Sequence, residues 1–215
     1  MINPKISDVR KDYIKSSMDD TELAENPVIQ FLEWYADAEK AKIEDFNAVV
    51  LATCGADGQP DARTVLLKSV HDDSFIFFTN YNSAKGRQLS ENPKATLVFY
   101  WKELERQVRI QGEVSKIPAA ASDDYFYSRP LGSQISAIVS SQSEKMELSK
   151  KALQKKVESL DKLNQSEINR PEHWGGYGLR WEKIEFWQGR ASRFHDRFLY
   201  ERVGTDEISI SRLQP

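Results

Sequence analysis

The chain has 215 residues, enough for one domain with a sizeable core, and 40% hydrophobic against 29% charged residues is the balance of a soluble globular protein. Its 30 lysines and arginines against 33 aspartates and glutamates leave a net charge of −3, which argues against broad electrostatic binding to nucleic acid or acidic membranes. One cysteine, Cys54, excludes an internal disulfide and a cysteine zinc cage; with no apolar leader and no run of about 18 apolar residues, a soluble cytoplasmic protein is expected.

Residues 1–25 are polar and lack a strong period; they are expected to form an arm, with Arg10, Lys11 and Tyr13 as its chemically distinctive cluster. Residues 26–215 are expected to form a single domain. Asn26-Pro27 has the pattern of an N-cap followed by a first-turn proline, and Val28, Phe31, Leu32 and Tyr35 recur at helical spacing, which predicts a helix with that apolar face. Asn47–Cys54 is β-branched and predicts a strand, Gly55–Pro60 a turn, and Ala62–Ser69 the returning strand. Further strands are predicted at Phe75–Asn80, Lys94–Trp101 and Glu105–Val114. After the first of these, Ser83-Ala-Lys-Gly-Arg-Gln reads as an N-cap opening a short helix, whose free N–H groups beside Lys85 would make a phosphate seat. Helical or turn-rich structure is expected over 118–163: Pro118–Val139, then an amphipathic helix Glu144–Leu163 with Met146, Leu153, Val157 and Leu160 on its stripe. Residues 169–177 read as a loop, followed by strands Leu179–Phe186, Ser192–Arg202 and Glu207–Leu213. Short antiparallel strands with helices at intervals predict a mainly β protein with peripheral helices, a barrel or sandwich and not a parallel α/β sheet.

Period two in the strand Ser192–Arg202 puts Arg193, His195 and Arg197 on one face, with Phe194, Asp196 and Phe198 on the other. Two guanidiniums flanking an imidazole form a row of donors suited to an anionic planar ligand. Arg63 and Lys68 have opposite parity, so they face opposite sides of a regular strand unless one sits at its end. Tyr125, Arg129 and Ser133 have the spacing at which a helix-to-loop segment converges on one phosphate, and Gln107 and Gln142-Ser143 suit the polar edge of a heterocycle. No dinucleotide fingerprint, P-loop, His-Glu-x-x-His or nucleophile elbow occurs, and His71, His173 and His195 are too scattered for a metal site.

Arg-Thr-Val-Leu-Leu-Lys68, Phe-Phe-Thr-Asn80, Leu-Glu-Arg-Gln-Val108, Tyr-Ser-Arg-Pro130, Trp-Gly-Gly-Tyr177, Glu-Phe-Trp-Gln-Gly189 and Arg-Phe-His-Asp-Arg197, in this order, resemble the pyridoxamine/pyridoxine 5′-phosphate oxidases, which are FMN enzymes that make pyridoxal 5′-phosphate. The resemblance implies an antiparallel FMN-binding split β-barrel and a homodimer. It assigns FMN to the segment Arg63, Thr64, Val65, Leu66, Leu67 and Lys68, to Phe78, Thr79 and Lys85, and to Gln142 and Ser143; Gln107, Trp187 and Arg197 would line the flavin ring. Substrate phosphate falls to Lys68, Tyr125, Arg129 and Ser133. Arg193 and His195 would sit over the pyridine, with Arg197 beside them as the third catalytic group, and Arg10 and Tyr13 belong to an arm that closes over the site. Many members carry arginine where this chain has Ala84. The implied reaction oxidises pyridoxine or pyridoxamine 5′-phosphate with O2 as acceptor, giving H2O2, and NH3 from the amine. The competing readings are another split-barrel flavin reductase, or a flavin- or haem-binding module without catalysis; a haem would need an axial ligand in an apolar pocket, whereas His195 lies between arginines.

Overall fold

The computed structural model describes residues 12–19, 23–146, 149–160, 168–204 and 207–215; Arg10 lies outside them. Among the described residues the elements in chain order are α1 (Pro27–Lys40), β1 (Ala48–Cys54), β2 (Pro60–Leu66), β3 (Ser69–His71), β4 (Ser74–Asn80), α2 (Ala84–Glu91), β5 (Lys94–Trp101), β6 (Arg106–Lys116), α3 (Ala119–Ser128), α4 (Leu131–Val139), α5 (Lys150–Leu160), β7 (Trp174–Gln188), β8 (Asp196–Val203) and β9 (Glu207–Arg212). The strands form one sheet in the order β2-β1-β5-β6-β7-β4-β3, with β8 paired to β7 and β9 to β8. The β3–β4, β4–β7, β7–β8 and β8–β9 pairs are antiparallel. Among the described residues no helix is long and apolar enough to cross a membrane.

The chain divides into two compact units. One comprises the described residues up to Val50 with Leu97–Gln111 and Glu182–Pro215; the other comprises Leu51–Thr96 and Gly112–Trp181. In the first, α1 starts where the sequence predicts: the Asn26 side chain accepts from Val28 N–H at 2.8 Å, and Pro27 occupies the first turn. The buried face is Pro27, Gln30, Phe31, Trp34 and Ala38, rotated from the predicted stripe; Leu32 is 47% exposed. The rotation follows Trp34, which packs edge-on against Phe186 at 5.2 Å and lies under the Arg106 guanidinium at 4.5 Å. Arg106 also pairs with Asp37 and donates to Gln188, tying the helix to two strands.

In the second unit, Phe126, Ile135, Ala137, Ile168 and Trp174 form a core cluster under α3 and α4. Three expectations are corrected here. The predicted strand Ala62–Ser69 is split after Leu66, so that Leu67-Lys68 links β2 to the short β3. Of the described residues in the predicted helix 144–163, Lys150–Leu160 are helical, whereas Met146 lies outside the helix, 62% exposed; Leu163 lies outside the described residues. The predicted loop 169–177 is already strand from Trp174 on, pairing with β4 from Asn80↔Trp174 to Ser74↔Arg180. Its glycines meet close neighbours and do not mark a turn: a Cβ on Gly175 would lie 2.2 Å from the Tyr81 hydroxyl, and one on Gly176 2.4 Å from Ile117 Cδ1.

A fourth correction falls in the first unit. The predicted strand Ser192–Arg202 begins only at Asp196, after a 3₁₀ turn Ala191–Arg193 in which Ser192 and Arg193 have φ of 55° and 65°. Arg193 and His195 therefore do not share a strand face with Arg197. The cause is local: the Arg190 N–H donates to His195 Nδ1 at 3.1 Å, closing the connection between β7 and β8 into a folded loop.

Candidate active site

The second unit holds a cavity of about 500 Å³ with three cations on its walls, Lys68, Lys85 and Arg129, and no carboxylate. Such a lining attracts anions and leaves them without a competing negative group. Lys68 reaches it because the chain leaves the strand after Leu66; its own N–H is held by the Ile76 carbonyl at 2.8 Å. Arg129 follows α3 at the bend before Pro130, where its carbonyl accepts from Gln134 Nε2 at 2.8 Å. Its guanidinium lies 4.5 Å over the Trp174 ring, and Nη1 is buried with no hydrogen-bond partner among the described residues. An unpartnered buried guanidinium nitrogen is costly unless a ligand completes it, and burial pushes the group's pKa down. Tyr125, Phe78 and Trp174 stack as one aromatic wall, with Tyr125 3.9 Å from Phe78 and Phe78 5.5 Å from Trp174.

Lys85 sits in the first turn of α2, whose N-cap Ser83 accepts from Gly86 N–H. It is 6% exposed, its Nζ donates to Thr79 Oγ1 at 3.2 Å, and among the described residues it has no ion pair. Burial, then the nearby charge of Arg63, lowers its pKa. Thr79 in turn donates to Gln142 Oε1 at 3.2 Å. A buried ammonium at a helix N-terminus, bonded only to a hydroxyl, is electrostatically matched to a phosphate.

In the first unit, a separate cluster joins Tyr13, Trp187 and His195. Trp187 and His195 ring centres lie 4.6 Å apart, and Tyr13 meets them edge-on at 5.6 and 5.8 Å. Gly189 lets the Tyr13 ring approach, since a Cβ there would lie 2.7 Å from it. The arm is also held by Glu105, whose Oε2 accepts from the Ile14 and Lys15 N–H groups at 2.9 and 3.1 Å. Because His195 Nδ1 accepts from Arg190, the neutral ring carries its proton on Nε2. Burial, then Arg193 and Arg197, push its pKa below the ordinary 6.5. Trp187 pairs across the sheet with Arg197, whose Nε donates to Glu185 Oε1 at 3.0 Å.

Of the residues singled out from sequence, Thr64, Val65, Leu66, Lys68, Phe78, Thr79, Lys85, Tyr125, Arg129, Ser133 and Gln142 line the one cavity. Three do not. Leu67 is in the core, Ser143 is exposed at a positive φ beside Gln142, and Arg63 is turned toward Asp61, Thr53 and the Leu51 carbonyl. Gln107, Tyr13, Trp187, Arg193, His195 and Arg197 belong to the other unit. Sequence reasoning missed Ser136, Ala137 and Ser140, which follow Ser133 at i+3, i+4 and i+7 and put the small-residue face of α4 on the cavity; the spacing was there to be read. It also missed Glu185, whose carboxylate is buried between Ile184 and Phe186 on β7.

Residues 35–164 match the profile of the pyridoxamine 5′-phosphate oxidase family. The chain belongs to that family. Residues 174–215 match the C-terminal dimerisation region of pyridoxine 5′-phosphate oxidase. The chain is 49% identical over 211 residues, covering 98% of both chains, to the pyridoxine/pyridoxamine 5′-phosphate oxidase of Trichormus variabilis. With that of Leptospira interrogans it shares 45% over 215 residues, covering both chains entirely. Among solved structures it resembles PhzG from Burkholderia lata 383 in complex with tetrahydrophenazine-1-carboxylic acid, with a TM-score of 0.84, 28% identity, and 91% and 95% of the two chains covered. A pyridoxamine 5′-phosphate oxidase-related, FMN-binding protein from Nostoc punctiforme matches in fold, with a TM-score of 0.73, 17% identity, and 90% and 100% covered. This member of the pyridoxamine 5′-phosphate oxidase family thus has the expected fold, a mainly antiparallel split β-barrel with peripheral helices.

Proposed function

We propose that this protein oxidises pyridoxine 5′-phosphate or pyridoxamine 5′-phosphate to pyridoxal 5′-phosphate, with FMN as cofactor and O2 as electron acceptor. The observation that carries the reading is the cavity with three cations, no carboxylate and a buried, unpartnered Arg129 Nη1. Its relatives over the full length are named for this oxidation.

The residues present fit FMN. Lys85, Thr79 and the start of α2 would hold its phosphate, with Arg63 and the Gln142–Ser143 turn beside them; Thr64–Lys68 and Phe78 would line its ribityl chain, and Gln107, Trp187 and Arg197 its ring. FMN supplies, when bound, a two-electron acceptor for the alcohol or amine carbon that O2 can reoxidise, with H2O2 as product and NH3 released from the amine. The protein's own part is binding and orientation. Lys68, Arg129, Tyr125 and Ser133 grip the substrate phosphate, which is remote from the reacting carbon and spends its binding energy on alignment. Arg193, His195 and Arg197 supply donors next to the pyridine; His195 offers Nε2–H while neutral. Tyr13 belongs to the arm that closes over the ring and excludes water, the arm to which the resemblance also assigns Arg10. The active unit is a homodimer, supported by the dimerisation-region match, and the protein works in the cytoplasm.

The test is direct. Purified protein loaded with FMN should consume O2 and form the visible absorbance of pyridoxal 5′-phosphate from either substrate. A protein that binds FMN yet makes no aldehyde from both substrates overturns the reading.

A further inference from the structure

We propose that Glu185 is a positioning residue that fixes the Arg197 guanidinium and leaves one nitrogen, Nη2, to face a ligand. The inference rests on the oxidase reading, in which Arg197 lies beside the reacting ring. Glu185 is 5% exposed and spends both carboxylate oxygens on arginines: Oε1 accepts from Arg197 Nε at 3.0 Å, and Oε2 pairs with Arg109 Nη2. Arg109, Glu185 and Arg197 come from the neighbouring strands β6, β7 and β8, and form a charged row across the sheet. Glu185 and Trp187 share a face of β7 by parity, and Trp187 is the direct cross-strand partner of Arg197, so the row ends beside the Trp187–His195 stack. The second anchor is backbone: Arg197 Nη1 donates to the Gln214 carbonyl at 2.8 Å, while the Leu213 N–H donates to the Arg197 carbonyl at 2.9 Å.

A guanidinium is planar, so bonds at Nε and Nη1 to two fixed acceptors define both its plane and its direction. Among the described residues Nη2 has no partner, and the side chain is 28% exposed. One carboxylate between two guanidiniums leaves the row with net positive charge, which suits a site meeting anionic groups. A pair serving stability alone would need only one arginine and would be replaceable by apolar residues.

The experiment measures flavin reduction in the FMN-loaded protein by stopped flow with saturating pyridoxine 5′-phosphate, in Glu185→Leu, Arg197→Leu and the double variant. Glu185→Leu should slow reduction about 10- to 100-fold, the scale of a misplaced reacting contact, with KM changed far less. In the Arg197→Leu background the same substitution should change the rate by less than about 2-fold, because a residue acting through another has nothing left to act on. Glu185→Asp, which keeps the charge but shortens the reach, should fall between, and it carries the same two comparisons if Glu185→Leu does not fold. A rate within about 2-fold of wild type in Glu185→Leu, or an equal loss in both backgrounds, overturns the proposal. The second readout is independent of activity. The Arg197 Nε–H resonance, identified by its loss in Arg197→Leu, should exchange slowly in the wild type and fast in Glu185→Leu; unchanged exchange also overturns the proposal. If wild-type protein does not reduce its flavin, the oxidase reading fails while this resonance still decides the role of Glu185.

Discussion

Lys85 and His195 are both ionisable groups held out of their ordinary range, and each sets a measurable expectation. Among the described residues the buried Lys85 ammonium bonds only to the Thr79 hydroxyl, and its lowered pKa follows from burial first and Arg63 second. Replacing it by methionine should therefore stabilise the ligand-free protein, by about 1 kcal/mol in denaturant titration, while weakening FMN about 10- to 100-fold by fluorescence titration. Loss of both stability and binding would show that Lys85 is structural. For His195 the folded pKa lies below 6.5, so the unfolded chain takes up the proton first as pH falls. Its contribution to stability is complete above about pH 6.5 and drains away between there and the folded pKa. Protonation of the folded protein also breaks the bond from the Arg190 amide, so activity should fall as pH drops through the folded pKa, at the lower edge of that window. Removing the nearby positive charge in Arg193→Ala should raise the pKa toward its ordinary value in an NMR titration; a fall or no change would refute the electrostatic account.

Elements differed in how far their sequences announced them. Asn26-Pro27 and Ser83 announced two helix starts because a cap is a local hydrogen bond. The buried face of α1 was misplaced because Trp34 is fixed by Phe186 and Arg106, more than 70 residues away, and no local period records that. The glycines of Trp174–Gly178 looked like a turn, since a close approach by Tyr81 or Ile117 leaves the same mark in a sequence as a left-handed φ. Conversely, strand parity over Arg193–Arg197 overreached, because the Arg190–His195 bond is a side-chain event that alternation cannot foresee. The cavity residues were readable as chemistry, and the recurring motifs supplied their grouping; Glu185 was passed over because its two partners sit on other strands. At this scale the arm is testable. Glu105 accepts two of its amides, so Glu105→Ala should speed hydrogen exchange at Ile14 and Lys15 about 10- to 100-fold, the weight of a charged acceptor. Unchanged protection would mean that the other contacts, Tyr13 on Trp187 and Met18 N–H on Asp196, dock the segment without it.

For the whole molecule, the full-length match to the oxidase family agrees with a resemblance already carried by the motifs from Arg63 to Arg197, and the region 174–215 matched as a dimerisation region makes self-association the main expectation. Sedimentation of the FMN-loaded protein should give a dimer across the micromolar range, and an active monomer would exclude it. The pairing of β4 also has a consequence for biosynthesis. Its partner residues on β7 lie roughly 100 residues downstream, from Asn80↔Trp174 to Ser74↔Arg180. A ribosome adding about 5–20 residues per second therefore leaves that edge of Phe75-Ile-Phe-Phe-Thr unzipped for about 5–20 s after it emerges. This apolar edge is an adhesive stretch of the nascent chain, a template for stray strands until β7 arrives. Nascent chains stalled before Trp174 should accordingly be cleaved by protease within β4 or be bound there by a chaperone, and chains released after Arg180 should not. Equal protection at both lengths would mean that another segment shields the edge during synthesis.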